Sequence, residues 1–145
     1  MVKRLMGTSN DVSLTTLRIV LGVVFFAHGA QRMLGWFGGE GFQVSMGGYA
    51  HMGLPAPAAL LIICAQFFGG LGLIVGLFTR IASLGAAGLM IGAIFMVHLQ
   101  NGFFMNWMGR QKGEGIEFHL LALAMAAALL LRGGGAFSVD RALAK

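Results

Sequence analysis

Ionisable and amide side chains occur inside the apolar segments of this chain, where lipid would normally exclude them. They are widely separated in sequence: His28, Gln31, Arg32, His98, Glu117 and His119. A charged group inside a membrane span costs at least about 2.5 to 3.5 kcal/mol on insertion scales, so it needs an interior partner or a function. Imidazole, amide and guanidinium groups can hydrogen-bond a polar headgroup, and a carboxylate beside an imidazole can move protons. These six residues form the candidate site.

Four apolar stretches are long enough to position these residues. A span needs about 20 mostly apolar residues, and the chain offers 14–35, 57–77, 81–99 and 116–131. Of its 145 residues, 57% are hydrophobic and only 10% are charged, against about 25% charged in ordinary soluble domains. A soluble globule is therefore excluded. The sequence predicts an all-α integral membrane protein, a four-transmembrane-helix bundle that forms a single membrane domain over residues 1–145.

The depth of each polar residue in the bilayer follows from the helical rise. His28 lies about 21 Å beyond Leu14 at 1.5 Å per residue, in the outer third of the bilayer. The third stretch reaches the same level at His98, and the fourth starts there with Glu117 and His119. We therefore expect these side chains to meet in one pocket near the outer face.

One face of the first helix combines polar and small residues. At 100° per residue, five side chains fall within about 40° of one direction: Arg18, Gly22, Phe25, Gly29 and Arg32. This face is expected to point into the bundle, since lipid favours apolar side chains on the opposite face.

Structural roles for the same polar residues stay open. Side chains at span ends can extend to the interface, and interhelical hydrogen bonds contribute only about 0.6 kcal/mol each. Glu117 and Arg32 could form an ion pair that serves only the fold. Arg18 is expected to extend to lipid phosphate, and Gln66 is expected to hydrogen-bond between helices.

The loops indicate how the chain is oriented. One side would hold Lys3, Arg4, Arg80, Arg132, Arg141 and Lys145, and the other Arg32, Arg110 and Lys112. Cytoplasmic loops carry an excess of Lys and Arg, so both termini are expected in the cytoplasm. The net charge of +5 is scattered rather than gathered on one basic face, so no nucleic-acid partner is expected.

Two longer loops, 37–56 and 100–115, lie on the predicted outer face. The first spaces its apolar residues by three or four, as a short interfacial helix would: Phe42, Met46, Tyr49 and Met52. The second carries Phe103, Phe104 and Trp107, which are typical of an aromatic belt at headgroup level. These loops are expected to cover the outer end of the bundle.

Small residues predict where helices meet. Gly72 with Gly76, and Gly88 with Gly92, are small-xxx-small pairs that allow backbones to approach closely. The single cysteine, Cys64, lies in an apolar run, so no internal disulfide or CxxC couple can form. Any redox chemistry would therefore depend on a cofactor, a partner or a lipid-soluble carrier.

Several segments together carry a family resemblance. They are LRIVLGVVFFAHGAQRMLGW in the first span, GGLGLIVGLFTRIASLGAAGLM across the tight hairpin predicted between the second and third spans, HLQNGFF after the third span and GIEFHLLALA in the fourth. In order and spacing they resemble the DoxX family of small four-span bacterial membrane proteins. The resemblance implies a multi-pass inner-membrane protein, accessory to respiratory or thiol redox systems such as terminal quinol oxidase and thiosulfate:quinone oxidoreductase. The family pattern often has an acid where this chain has Gln66, whereas Glu117 matches it.

Three functions follow as alternatives. The candidate site could bind the headgroup of a quinone or a similar isoprenoid lipid inside a redox-associated subunit. The chain could instead be a non-catalytic assembly or anchoring subunit that docks on membrane-protein partners or forms a homo-oligomer. A haem or metal site built from His28, His98 and His119 is the third, although these residues lack paired-ligand spacing. No P-loop, dinucleotide fingerprint or nucleophile elbow is present, so no stand-alone catalytic motif is predicted.

Overall fold

The computed structural model describes residues 6–144, so Lys3, Arg4 and Lys145 lie outside the described residues. Helix α1, Val12–Leu34, begins after Asp11, whose carboxylate accepts a hydrogen bond from the Ser13 N–H at 2.8 Å. It ends at Gly35, which takes the left-handed conformation that glycine adopts most easily. A 3₁₀ turn, Trp36–Gly38, then leads into helix α2, Gly41–His51. The helix expected in the first long loop is thus present.

The remaining helices follow in sequence order. Their bounds are α3, Ala56–Val75; α4, Thr79–Ala93, extended by a π turn, Ile94–His98, and a 3₁₀ turn, Leu99–Asn101; α5, Glu117–Arg132; and α6, Val139–Ala144. Pro55 and Pro57 sit at the start of α3, where a missing N–H is harmless. Gly76, with φ of 75°, ends α3 and begins the tight turn into α4. The predicted hairpin therefore forms.

The four long helices pack into a bundle. Helix α1 packs most extensively against α3 and α4 against α5, while contacts between α3 and α4 and between α1 and α5 close the bundle. Helix α2 lies against α1 and α3. The end of the bundle with His28, His98 and His119 is called the histidine end below. The end with Arg18 and Asp140 is called the arginine end.

Three helical segments are long and apolar enough to cross a membrane: Val12–Leu34, Ala56–Val75 and Thr79–Asn101. Helix α5 has 16 residues, which span about 24 Å at 1.5 Å per residue, less than the roughly 30 Å of bilayer hydrocarbon. Residues 6–144 contain helices, turns and loops and no strand. The all-α class is therefore confirmed, and three of the four predicted spans correspond to helices that are long and apolar enough to cross a membrane.

Glycines bring α1 and α3 into backbone contact. A Cβ placed at Gly29 would lie 2.4 Å from the Phe67 backbone nitrogen, and one at Gly70 would lie 2.4 Å from that of Phe26. Gly22 is similarly close to Ile74 of α3, at 2.8 Å from its backbone nitrogen. Only hydrogen fits at these positions, so these three glycines set the distance between the two helices. The predicted inward face of α1 is thus the packed one.

The glycines predicted to pack helices behave differently. A Cβ at Gly88 or Gly92 would meet nothing within 4 Å. Helix α4 instead turns Ser83, Ala86 and Met90 inward, and the two glycines form no close helix contact within the described chain. A Cβ at Gly72 would lie close to the Leu77 carbonyl oxygen. One at Gly76 would lie close to the side chain and Cα of Ser138. The sequence spacing therefore identified different glycines from those that join α1 to α3.

Arg18 lies inside the protein, with 1% of its surface exposed. Its guanidinium donates to the carbonyl of Gly134 at 2.9 Å, to that of Ile74 at 2.6 Å, to that of Phe137 at 2.6 Å and to that of Leu73. Two of these carbonyls belong to the last turn of α3 and two to the segment after α5. The prediction that Arg18 extends to lipid phosphate is wrong, because the C-terminal segment folds over it.

Asp140 completes the arginine end. Its carboxylate accepts hydrogen bonds from the N–H groups of Phe78 at 2.7 Å and Thr79 at 2.8 Å, and 1% of the residue is exposed. A negative group at a helix N-terminus pairs with N–H groups that have no partner inside the helix. Asp140 therefore joins the C-terminal helix α6 to the start of α4.

Replacing Asp140 by asparagine is expected to lower the free energy of unfolding by about 1 to 3 kcal/mol, because an amide NH₂ would then face one of two buried N–H donors. The matched control is Asp11→Asn, at the exposed start of α1, where the side chain accepts one hydrogen bond and asparagine caps as well as aspartate. Thermal unfolding of both purified variants measures the difference. Equal midpoints would contradict the role assigned to Asp140.

Candidate functional site

A cavity of about 420 Å³ lies at the histidine end, between α1, α3, α4 and α5. We call it the histidine chamber; its polar lining consists of His28, Arg32, Gln66, His98, Glu114 and His119. Apolar groups, including Phe25 and Met90, form the rest of the wall. Its volume falls in the range of about 300 to 1,000 Å³ that is usual for small-molecule sites. A largely apolar cavity with few polar groups can hold and orient an amphipathic ring.

Two histidines from different helices meet in the histidine chamber. The rings of His98 and His119 have centroids 4.1 Å apart and an interplanar angle of 43°. The His98 Nδ1–H donates to the Glu114 carbonyl at 2.8 Å, which leaves Nε2 as the acceptor of the neutral ring. His119 is 5% exposed, and its Nδ1 makes no hydrogen bond within residues 6–144. A buried polar nitrogen without a well-aligned partner is unusual in a folded protein and calls for an explanation, and a bound ligand is one.

The position of His98 depends on a local change in helix geometry. From Ile94 to His98 the chain forms a π turn instead of continuing α4 as a regular α-helix. Such turns change the direction of the side chains that follow and are frequent at functional sites. Here the turn brings the His98 ring against His119. Sequence spacing alone contained no signal for it.

Arg32 and Gln66 link α1 to α3 on the opposite wall of the histidine chamber. The Arg32 Nη1 donates to Gln66 Oε1 at 2.7 Å, and Gln66 is 8% exposed. The predicted interhelical role of Gln66 is thereby confirmed. The alternative ion pair between Arg32 and Glu117 is not the arrangement observed, because each side chain has a different partner.

Glu117 instead holds the second long loop, residues 100–115, in place. One carboxylate oxygen accepts hydrogen bonds from the Met105 N–H at 2.9 Å and from the Trp107 Nε1–H at 3.3 Å. Glu114 acts similarly, since its carboxylate accepts from the Asn106 N–H at 2.6 Å. Glu117 in the first turn of α5 and Glu114 just before that helix thus fasten the loop that covers this end of the bundle.

Four of the six predicted site residues line the histidine chamber: His28, Arg32, His98 and His119. His28 is exposed, and its Nδ1–H donates to the Val24 carbonyl at 2.9 Å. Gln31 and Glu117 do not line the chamber. Two further lining residues, Gln66 and Glu114, were outside the predicted set.

The aromatic residues at the histidine end are dispersed. Phe25 lines the histidine chamber, but Phe26 packs on Phe67 with ring centroids 5.3 Å apart. Phe103 packs on Phe104, and Trp107 is 83% exposed. Within the part of the chain that the structure describes, no three His, Cys, Asp or Glu side chains are placed to hold one metal ion. The three-histidine metal site considered from the sequence is therefore not formed there.

A second cavity, of about 370 Å³, lies between the end of α1, the 3₁₀ turn and α2. We call it the loop cavity; its polar lining includes Gln31, Arg32, Glu40, Ser45 and Tyr49. Gln31 Nε2–H donates to the Phe37 carbonyl at 3.2 Å and so stabilises the turn. Burial raises the pKa of Tyr49, and the positive charge of Arg32 partly opposes this shift. Tyr49 therefore stays a protonated hydrogen-bond donor at neutral pH.

Comparison with known proteins agrees with this architecture. A family model described as DoxX matches residues 13–99, which is more than half of the chain. The chain belongs to the DoxX family. The match runs from α1 to the turn after α4, so it includes Arg32, Gln66 and His98 but ends before His119. The predicted membership is confirmed, and this DoxX-family chain is a membrane protein.

Two relatives are similar over nearly their whole length. "Putative oxidoreductase CatD" of Bacillus subtilis (strain 168) is 30% identical over 135 residues, which cover 93% of this chain and 90% of that protein. "Inner membrane protein YqjF" of Escherichia coli (strain K12) is 29% identical over 135 residues, covering 93% of this chain and 95% of that protein. No solved structure matches the chain significantly.

Proposed function

We propose that the histidine chamber of this DoxX-family protein binds the headgroup of a quinone or a similar amphipathic isoprenoid, as part of a redox-associated inner-membrane subunit. The observation that carries the proposal is the stacked pair of His98 and His119, which lines a cavity and has an unused ring nitrogen. A neutral imidazole accepts a hydrogen bond from a quinol hydroxyl, and an N–H donates to a quinone carbonyl.

The two walls of the histidine chamber suit the two oxygens of such a ring. Arg32 and Gln66 offer donors on the side of α1 and α3, while the histidines lie on α4 and α5. Phe25 and Met90 supply apolar surface for the ring between them. His28 is exposed beside the chamber, which places a polar group where a headgroup would enter. The name of the Bacillus subtilis relative, "Putative oxidoreductase CatD", is in keeping with a redox role.

We further propose four spans with both termini in the cytoplasm. Helix α5 packs extensively on α4, and a short helix can be accommodated by local thinning of the bilayer or by polar end residues that extend outward. Apart from the buried Arg18, the described residues place three basic side chains at each end: Arg80, Arg132 and Arg141, against Arg32, Arg110 and Lys112. The orientation therefore rests on Lys3, Arg4 and Lys145.

Quinone binding is testable on the purified protein in neutral detergent. Ubiquinone-1 is titrated while tryptophan fluorescence is recorded, and lipid extracts of the same sample are analysed for co-purified quinone. We expect His98→Ala and His119→Gln to raise Kd at least about tenfold, equal to about 1.4 kcal/mol. His51→Ala is the control, because His51 is exposed at the end of α2.

Either of two results would refute the quinone proposal. One is a wild-type protein that neither carries quinone nor binds ubiquinone-1. The other is unchanged affinity in both histidine variants, provided that size-exclusion profiles show them folded. If His98→Ala and His119→Gln lose affinity for ubiquinone-1 while His51→Ala keeps it, binding in the histidine chamber is supported.

An anchoring subunit is the second candidate function. The observation in its favour is that Gly88 and Gly92 have open space around them, so a helix of another chain could approach α4 there. A stoichiometric membrane partner that is lost on Gly88→Leu, together with no ligand in the histidine chamber, would favour anchoring over quinone binding.

A further inference from the structure

The charge of Arg32 is the starting point, because its partner is neutral. The guanidinium donates to the Gln66 amide oxygen at 2.7 Å, and an amide offsets none of the positive charge. The carboxylates of Glu114 and Glu117 at the same end of the bundle are engaged by N–H groups of the second outer loop. A partly buried guanidinium binds anionic oxygens more strongly than neutral ones, since the hydrogen bonds are charge-assisted.

Arg32 also lines two cavities at once. It contributes to the histidine chamber and to the loop cavity, so its side chain forms part of the wall between them. On the loop side it is accompanied by Gln31, Ser45 and Tyr49, each of which can donate a hydrogen bond. Tyr49 remains protonated, as its burial requires. Donors and one cation therefore converge on a space of about 370 Å³.

The turn that borders this space packs tightly on α1. A Cβ at Gly39 would lie 2.4 Å from the Cα of Gln31, so the turn packs directly against the last turns of α1. Helix α2 then forms the far wall through Ser45, Gly48 and Tyr49. Glu40 also lines the cavity, but its side chain is exposed to solvent, where water weakens its repulsion of an anion.

We propose that the loop cavity binds an anionic oxygen group, a carboxylate or a phosphate, with Arg32 as its cationic contact and Gln31, Ser45 and Tyr49 as neutral donors. The site adjoins the histidine chamber through Arg32, but its ligand differs from the uncharged ring proposed there. The anion has two sources: a small soluble molecule, or the phosphate of an anionic lipid whose tails lie beside α1 and α3. Both present the same group to Arg32.

The test uses the full chain purified in neutral detergent. Sodium phosphate and sodium benzoate are titrated separately by calorimetry, and nanodiscs containing phosphatidylglycerol or phosphatidylcholine are compared by native mass spectrometry for retained lipid. Gln66→Glu keeps the side-chain size but supplies Arg32 with an internal carboxylate, whereas Arg32→Gln removes the charge. Arg110→Gln removes an exposed charge from the other outer loop and is the control.

We expect Arg32→Gln and Gln66→Glu each to weaken anion binding at least tenfold, and Arg110→Gln to leave it unchanged. Retention of phosphatidylglycerol alone assigns the lipid source, and binding of phosphate or benzoate assigns the soluble one; either supports the proposal. Wild-type affinity in Arg32→Gln or Gln66→Glu, or a wild-type protein that binds none of the three anions, overturns it. His119→Gln should retain anion binding, so failure of the quinone proposal would be distinguishable.

Discussion

Replacing Arg18 by leucine is expected to prevent most of the protein from reaching its folded state. The guanidinium satisfies four backbone carbonyls at the arginine end, and leucine would leave all of them without a donor. Removing one partner from a buried charged network typically costs about 3 to 5 kcal/mol, a large share of the stability of a small protein. Arg18→Lys should recover only part of the lost stability, since one ammonium group cannot replace the several N–H donors of the planar guanidinium.

Folded yield after size exclusion and the thermal midpoint in detergent measure this effect. Arg132→Leu is the matched control, because Arg132 is an exposed arginine at the same end of the bundle. A thermal midpoint for Arg18→Leu equal to that of Arg132→Leu would show that the buried network contributes little to stability.

Replacing Gly29 by alanine is expected to cause the second large loss of stability. The added methyl group would lie 2.4 Å from the Phe67 backbone nitrogen and 2.5 Å from its Cα. These are backbone atoms of a packed helix, so α1 and α3 would have to separate. We expect a loss of about 3 kcal/mol, at the upper end of the usual cost of overpacking.

Gly88→Ala provides the comparison within the same protein. A Cβ there meets nothing within 4 Å, and alanine is favoured over glycine inside a helix by about 0.5 to 1 kcal/mol. Its thermal midpoint should therefore be unchanged or higher, while that of Gly29→Ala falls. If the two variants had equal midpoints, the close contact between α1 and α3 would be refuted.

Much of the helical framework could be predicted from apolar length and residue spacing. The inward face of α1 was anticipated because Arg18, Gly22, Phe25 and Gly29 share one direction, and all four are buried. The helix in the first long loop followed from the spacing of its apolar residues. The depths calculated from the helical rise also placed His98 and His119 at one level of the bilayer, and their rings are in contact.

The errors have a common physical cause, which is that partners distant in sequence decide where a polar side chain points. Arg18 was expected to reach lipid phosphate because it lies near the end of its span, yet its guanidinium donates to the carbonyls of Gly134 and Phe137. An ion pair between Glu117 and Arg32 was considered from their common depth, but N–H groups of a loop donate to the Glu117 carboxylate. The glycine pairs were recognised by spacing, which cannot tell a packed face from an open one.

The burial of Arg18 also has a consequence for the order of biosynthesis. Two of its carbonyl acceptors, on Gly134 and Phe137, lie 116 and 119 residues further along the chain. A ribosome delivers the first helix to the membrane long before it makes those residues, so this cation must wait in a temporary environment of water, lipid headgroups or insertion machinery. The first of these helices to enter the bilayer is thus completed only after Gly134 and Phe137 have been made.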